Sequence, residues 1–161
     1  MRKLSLIVIC ALTAVLFASC QTGEKKDKNG DTPETVVKKM YQALQDKDYD
    51  KVASFSKIPD TVKIEKSDLA LYKEFQNNAQ NKNGKIVILG EDWSKFIVNQ
   101  MKQDTVYKLD KYEIVSEEIS KTDPNSAKVK TKIQVTTSAG QSEAECSFPL
   151  KKEDNVWLII G

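Results

Sequence analysis

The sequence contains no histidine, and its only arginine is Arg2. Histidine is the most common metal ligand and the usual general base near neutral pH, so its absence removes many metal centres and acid–base sites. Proteins that bind nucleic acid normally carry a basic excess, with arginine side chains that contact phosphates. We therefore expect no metal, no cofactor and no nucleic-acid partner.

Cysteine is also scarce, since the chain has only Cys10, Cys20 and Cys146. Cys10 lies within an N-terminal apolar segment and Cys20 directly follows it, which leaves Cys146 without a partner for an internal disulfide. No histidine is present to activate its thiol. Cys146 is therefore predicted to be a small buried hydrophobic side chain rather than a nucleophile.

The N-terminal apolar segment is too short to cross a membrane. Leu4 to Ala18 carries no charge and follows Arg2 and Lys3, whereas a spanning helix needs about 20 apolar residues. A basic start, a short apolar run and small residues at its end are typical of a secretory signal peptide. We predict that residues 1–19 are such a peptide.

The end of this segment, Leu16-Phe17-Ala18-Ser19-Cys20, resembles the lipobox of bacterial lipoproteins. The resemblance implies that the Cys20 thiol carries a diacylglycerol and becomes the first residue after cleavage. Palmitate-type acyl chains would then anchor the protein in the bacterial cell envelope, so the expected partner is the membrane, through lipid on Cys20. Gln21 follows this cysteine, and a residue of this kind there resembles the sequence of lipoproteins that Gram-negative bacteria sort to their outer membrane.

Residues 20–31 are predicted to be the lipidated cysteine and a flexible tether, because no side chain from Gln21 to Asp31 is apolar and large. Fully extended, this tether reaches at most about 40 Å. Arg2 and Lys3 precede Cys20 and all 23 acidic residues follow it, so the mature chain is electrically neutral. The remaining residues, 32–161, have the size of a single domain.

The predicted domain begins with helices. Thr32 is a suitable N-cap, and Pro33 is a suitable first helical residue. Five apolar residues then recur at helical spacing: Val36, Val37, Met40, Tyr41 and Leu44. Asp48 can cap a short second helix.

From 58 to 109 the periodicity is mixed. Ser67 is predicted to cap a helix that carries Leu71, Phe75 and Ala79 on one face. Helical spacing returns at Trp93, Phe96, Ile97 and Met101. Between these helices, Ile86 to Leu89 fits either a strand or a buried turn.

From about Val106 the period changes to two, which predicts antiparallel strands. Tyr112 to Ile119 is one strand, and two longer strands follow it. Their inner faces are predicted to hold Ala127, Val129, Thr131, Ile133, Val135, Ala144, Cys146, Phe148 and Leu150. We predict a turn at Ala139-Gly140, with Val135 opposite Ala144, Ile133 opposite Cys146 and Thr131 opposite Phe148. Glu153 to Asn155 is predicted to make the last turn.

Two motifs resemble a known family. Thr32-Pro33-Glu34-Thr35-Val36-Val37, with Tyr41, Leu44 and Asp48-Tyr49-Asp50, is similar to the opening of small bacterial lipoproteins of the domain-of-unknown-function 4878 type. Lys152 to Ile159 is similar to that family's last hairpin, with its near-terminal tryptophan. The family is grouped with the nuclear-transport-factor-two-like (cystatin-like) fold. The resemblance thus implies an α+β fold whose N-terminal helices pack on a curved antiparallel sheet and enclose a cone-shaped cavity. It brings no established activity.

The resemblance also suggests where to look for a site. Enzymes of this fold place an aspartate inside the cone, often with histidine or tyrosine. No acid lies on the predicted inner faces of the two longer strands, and the acids of the second one, Glu143 and Glu145, are predicted to point outward. Asp46, Asp48 and Asp50 flank a helix break, where a carboxylate is more often a cap than a general base. The predicted cavity lining is Tyr41, Phe75, Ile133, Phe148 and Trp157.

Three functions remain open, and the leading hypothesis is a non-catalytic domain that binds a small ligand or an envelope protein. The alternative is an acid–base enzyme that uses a helix-borne aspartate with Tyr41 or Tyr112 in the cone cavity. The third is a structural or inhibitor-like lipoprotein that presents its outer sheet face. Lys128, Lys130 and Lys132 lie on that face and are predicted to be solvated beside Glu143 and Glu145.

Overall fold

The computed structural model describes residues 26–65, 80–82, 85–103 and 108–160. These residues form two compact units. The first unit consists of residues 26–57 and 108–160, and the second consists of the described residues between 58 and 103. The predicted signal peptide, Cys20 and the predicted helix around Phe75 lie outside the described residues. No helix in the described part is both long enough and apolar enough to span a bilayer.

The first unit begins with two helices, α1 (Pro33–Gln45) and α2 (Tyr49–Ser54). The Thr32 hydroxyl accepts a hydrogen bond from the Thr35 N–H at 3.2 Å, which confirms the predicted N-cap. The Asp48 carboxylate accepts one from the Lys51 N–H at 3.1 Å and caps α2. The apolar stripe of α1 is buried apart from the half-buried Leu44, and Tyr41 has no exposed surface.

A four-stranded antiparallel sheet completes this unit. Its strands are β4 (Lys108–Ile119), β5 (Ser126–Thr137), β6 (Gly140–Glu153) and β7 (Val156–Ile159), hydrogen-bonded in that order. The predicted inner face of β5 and β6 is confirmed, since Ala144 is half-buried and the other eight residues are buried. Helices followed by an antiparallel sheet confirm the α+β fold class.

The predicted register between β5 and β6 is wrong by two residues. The structure pairs Ile133 with Ala144 and Thr131 with Cys146. The turn lies at Ser138-Ala139, and Gly140 directly after it has a positive φ of 112°. Such a glycine after the two turn residues is a common way to close a hairpin. A shift of two keeps every side chain on its face, so the apolar pattern could not select between the registers.

The second turn is as predicted. Asp154 and Asn155 connect β6 to β7 with φ values of 48° and 58°. Two consecutive residues with positive φ form the turn type that matches the twist of a two-residue hairpin, and Asp and Asn tolerate this conformation well.

The second unit contains a three-stranded antiparallel sheet and one helix. The strands are β1 (Thr61–Glu65), β2 (Gln80–Lys82) and β3 (Lys85–Leu89), with β3 in the centre, and the helix is α3 (Gly90–Gln103). Ile86 and Ile88 pack with Phe96 of the helix. The segment Ile86 to Leu89 is therefore a strand, which resolves the alternative that its sequence left open.

Residues 26–31 are ordered against the sheet, where the sequence predicted a flexible tether. Asp27 is only 8% exposed, and its carboxylate accepts a hydrogen bond from the Trp157 N–H at 3.1 Å. The Lys28 N–H donates to the Asn155 carbonyl at 2.9 Å. These contacts cover the outer edge of β7, whose backbone groups would otherwise be open for pairing.

Candidate functional site

The candidate site is the side of the four-stranded sheet that faces α1, because the sequence places its possible cavity-lining residues there. The helix packs against β4, β5 and β7. Four of the five predicted lining residues are described, and Tyr41, Ile133, Phe148 and Trp157 are all buried. Phe75 lies outside the described residues, and the cavity itself stays a prediction.

Tyr41 is the centre of this side. Its hydroxyl lies 2.7 Å from the hydroxyl of Thr131, and both residues are at most 1% exposed. Thr131 is on β5 directly opposite Cys146 of β6. The hydrogen bond therefore joins α1 to the middle of the sheet. It also gives each of the two buried hydroxyls a partner, and burying either hydroxyl without one would cost free energy.

Two aromatic rings pack against the Tyr41 ring. Tyr112 stacks on it with a centroid distance of 4.8 Å, and Phe148 meets it edge to face at 5.7 Å. Ile133 lies directly opposite Tyr112 in the sheet. Trp157, on the edge strand β7, is in contact with the Lys152 ammonium group, which lies 4.9 Å from its ring centroid. The described part of this side is thus mainly aromatic and aliphatic.

The helix-borne acids do not reach this side. Asp46, Asp48 and Asp50 are exposed. Asp48 caps α2, and the Asp46 carboxylate accepts a hydrogen bond from the Gln42 amide at 3.0 Å. This confirms the prediction that these aspartates are exposed or bonded as caps.

One acid on the helix-facing side was missed by the sequence reasoning. Glu117 of β4 pairs with Val129, whose side chain is buried on that side. A β-bulge between Ile114 and Ser116 adds one residue to β4. The alternation of side chains between the two faces of the sheet is therefore shifted by one residue after the bulge. The exposed apolar Val115 at the bulge, 52% exposed, is the signal that alternation breaks there.

Glu117 is held by the start of α1. Its carboxylate accepts a hydrogen bond from the Glu34 N–H at 2.9 Å. The first N–H groups of a helix have no partner within the helix and carry partial positive charge, so a carboxylate there stabilises the helix start. Glu117 therefore fastens α1 to the sheet across 83 residues of chain.

The opposite, outer side of the sheet carries exposed lysines and glutamates. Lys132 lies between Glu113 and Glu145 in the cross-strand register, and its ammonium group is 3.7 Å from the Glu145 carboxylate. Lys130 is likewise 3.7 Å from Glu118. The predicted solvation is confirmed for Lys130 and Lys132, and the predicted neighbour Glu145 for Lys132, whereas Lys128 is half-buried and Glu143 lies opposite Gln134. Exposed pairs of this kind contribute about 0–1 kcal/mol each to stability.

Two hydroxyl groups on the outer side lack a described hydrogen-bond partner. The Oγ atoms of Ser116 and Ser147 are buried, and both residues lie directly opposite Lys130 in the register. They therefore share one row across β4, β5 and β6. Nothing in the described residues explains their lack of partners.

Among the described residues, three carboxyl groups have pKa values below the usual range. A hydrogen bond from the Thr136 hydroxyl lowers the pKa of Asp110, and one from the Ser126 hydroxyl lowers that of Asp123. Burial raises the pKa of Asp27, but its backbone N–H bonds and the charge of Lys152 lower it by more. A group with a lowered pKa is a poor general base near neutral pH.

The arrangement of the described residues offers little for metal binding or acid–base chemistry. Among them, no group of three or more Cys, Asp or Glu side chains could hold a metal ion. Cys146, at 2% exposure, is buried, as predicted. The polar contact described for the Tyr41 side chain is the bond between its hydroxyl and that of Thr131.

The sequence matches no protein-family profile and no curated protein. Similar solved structures include an NTF-2-like protein of unknown function from Shewanella oneidensis, 15% identical, with a TM-score of 0.48 over 78% of this chain and 89% of that one. A variant of the NTF2-like protein Rd1NTF2_05 is 12% identical, with a TM-score of 0.46 over 82% and 95%. An LEH-like epoxide hydrolase from M. tuberculosis is 11% identical, with a TM-score of 0.41 over 78% of each chain. At these identities the likeness concerns the fold alone.

Proposed function

We propose that this protein is a lipid-anchored lipoprotein of the bacterial cell envelope, with a non-catalytic domain that binds a small ligand or another envelope protein. The anchor is supported by Arg2 and Lys3, the uncharged run from Leu4 to Ala18, and Cys20 directly after small residues. Two or three acyl chains on Cys20 would give stable membrane binding, whereas a single chain gives only marginal binding.

The observation that supports a non-catalytic domain is the bonding of the polar groups on the helix-facing side. The Tyr41 hydroxyl is bonded to Thr131, and the Glu117 carboxylate is bonded to the first turn of α1. A general base must be free to take a proton from a substrate within hydrogen-bond reach. Groups that hold the fold together in this way favour a binding or interaction role.

One observation favours an acid–base enzyme as the second candidate. Glu117 is a carboxylate on the helix-facing side of the sheet, and the stacked tyrosines Tyr41 and Tyr112 lie on that side too. The helix-borne aspartates are exposed, so an enzyme would depend on Glu117 instead. Such an enzyme would need substrate binding to release Glu117 from the Glu34 N–H.

The anchor is tested by intact mass analysis of the protein purified from membranes of its host. We expect a mature chain that begins at Cys20 and carries acyl chains, and an uncleaved or lipid-free product from Cys20→Ala. Cys10→Ala is the matched control, because Cys10 lies within the predicted signal peptide and processing should be unchanged. A wild-type chain beginning at Gln21 or Met1 would overturn the anchor.

The two candidate activities are separated with fractionated envelope extract. A bound ligand raises the melting temperature of the protein, and mass spectrometry of the same mixture shows whether any component is consumed. We expect binding in proportion to protein without turnover, and the same behaviour from Glu117→Gln. Turnover beyond the amount of protein, lost in Glu117→Gln, would replace the binding function with the enzyme.

A further inference from the structure

The described chain begins with a short segment that is firmly attached to the last hairpin, and we name residues 26–31 the latch. Asp27 is the centre of the latch, with its Oδ1 atom accepting the Asn29 and Asp31 N–H groups at 2.7 and 2.9 Å. Its Oδ2 atom accepts the Trp157 N–H at 3.1 Å. One buried carboxylate thus folds the segment on itself and ties it to β7.

Further contacts hold the latch to the same hairpin. The Lys28 N–H donates to the Asn155 carbonyl, and the Lys152 ammonium group donates to the Lys26 carbonyl at 3.1 Å. The Lys152 ammonium group also lies over the Trp157 ring. The latch is therefore connected to both strands of the β6–β7 hairpin and to its turn.

The latch shortens the connection between Cys20 and the folded unit. If the chain were free as far as Thr32, twelve residue steps would span at most about 40 Å. With the latch in place only six steps separate Cys20 from Lys26, and they span at most about 20 Å, whatever their conformation. The β6–β7 hairpin thus cannot move far from the attachment point of Cys20.

We infer that the β6–β7 hairpin end of the four-stranded sheet faces the membrane surface, and that the latch sets this orientation. The inference rests on the proposed lipid anchor at Cys20. The partner that this end meets is a phospholipid surface. The opposite end, at the Ser138-Ala139 turn, is the full length of β6 away.

The length of β6 makes the orientation measurable. Its 14 residues, at about 3.3 Å each, separate the two hairpin turns by roughly 45 Å. A dye at residue 151, next to the β6–β7 turn, and a dye at residue 139 therefore lie near opposite ends of the same strand. Both positions are exposed, so a ketone-bearing amino acid can carry the same dye at either one without using a cysteine.

The experiment measures energy transfer from each dye to acceptor-labelled headgroups in phosphatidylethanolamine–phosphatidylglycerol vesicles that hold the lipidated protein. We expect higher transfer from position 151 than from position 139. Asp27→Ala should reduce this difference, because it releases the latch and doubles the reach of the connection. Asp123→Ala is the matched control, since it removes a turn carboxylate that does not touch the latch and should leave the difference intact.

A second variant tests the same orientation without removing Asp27, in case Asp27→Ala does not fold. An insertion of flexible glycine and serine residues between Lys25 and Lys26 lengthens the connection while Asp27 is retained, and it should also reduce the difference. Equal transfer from both positions in the wild-type protein, with lipid on Cys20 shown by mass, would overturn the orientation while the anchor stands.

A chemically coupled sample separates failure of the orientation from failure of the anchor. The chain from Cys20 onward is joined through that thiol to a maleimide-bearing lipid, and the same two dye positions are compared. A chain found without natural lipid would refute the anchor, and the coupled sample would still report whether the latch orients the sheet. Equal transfer in the coupled sample would overturn the orientation on its own.

Discussion

The carboxylate of Asp27 accepts the backbone N–H of Trp157, a residue 130 positions later in the chain. Trp157 lies on β7, the edge strand of the four-stranded sheet as described, and its N–H points away from β6. The neighbouring backbone of Ile159 is covered in the same way, because its N–H donates to Phe55 and its carbonyl accepts from Lys57. Segments from two other parts of the chain thus close this edge against pairing with another molecule.

The Asp27 interaction should give stability a defined pH dependence. The pKa of Asp27 is lower in the folded protein than its ordinary value of 3.8. A depressed pKa contributes stability that is present above about pH 4 and lost as the pH falls through the folded pKa. The free energy of unfolding of the wild type should therefore exceed that of Asp27→Asn near pH 7 and approach it in acid.

Urea unfolding at a series of pH values measures this difference. Asp154→Asn is the control, because Asp154 is an exposed turn residue with positive φ, where Asn is equally suitable. A difference between wild type and Asp27→Asn that does not change between neutral and acidic pH would contradict the prediction.

The Tyr41–Thr131 hydrogen bond should be visible as a coupling energy. Tyr41→Phe leaves the buried Thr131 hydroxyl without this partner and should destabilise the protein by about 1–3 kcal/mol. Thr131→Val should have a similar effect for the same reason, whereas the double variant should cost less than the sum. Urea unfolding of the four proteins gives the double-mutant cycle, and strictly additive effects would show that the two hydroxyls do not interact.

Gly140 should be sensitive to substitution because of its backbone conformation. Its φ is 112°, and no heavy atom lies within 4 Å of the point that an added Cβ atom would occupy, so the cost of Gly140→Ala is conformational rather than steric. We expect a loss of roughly 1–2 kcal/mol in thermal or urea unfolding. Ser138→Ala in the same turn is the control and should be nearly neutral. A neutral Gly140→Ala would mean that the turn has another geometry.

Cys146 should be unreactive in the folded protein. Its side chain is 2% exposed in the middle of β6, opposite Thr131. In a variant with Cys10→Ala and Cys20→Ala, a thiol reagent should react only as fast as the sheet opens, and rapidly in urea. Reaction of the native protein at the rate of a free thiol would show that β6 is accessible and that the assigned burial is wrong.

Several features of the fold could be predicted from local sequence alone. Thr32 and Asp48 are caps because a short polar side chain before a helix can bond its first N–H groups. The alternation from Ala127 to Val135 placed each residue on its correct face, because a strand has a fixed period of two. The Asp154-Asn155 turn could be predicted equally well, since Asp and Asn are among the few residues other than glycine that tolerate positive φ.

Other features depend on contacts between distant residues. A register shift of two keeps all faces unchanged, so only the turn at Ser138-Ala139, with Gly140 after it, selects the pairing of Ile133 with Ala144. The bulge near Val115 breaks the alternation of β4 and turns Glu117 toward α1, where it meets the Glu34 N–H. No local pattern contains both partners of this hydrogen bond.

The sequence by itself determined the N-terminal helix with its cap, the face of each residue in β5 and β6, and the neutral, histidine-free composition. Only the tertiary structure decided that Asp27 is buried and that residues 26–31 are a latch. In the sequence these residues are polar and lack any apolar periodicity, which is typical of a tether. They are ordered because Trp157 and Asn155, at the other end of the chain, supply the backbone groups to which they bond.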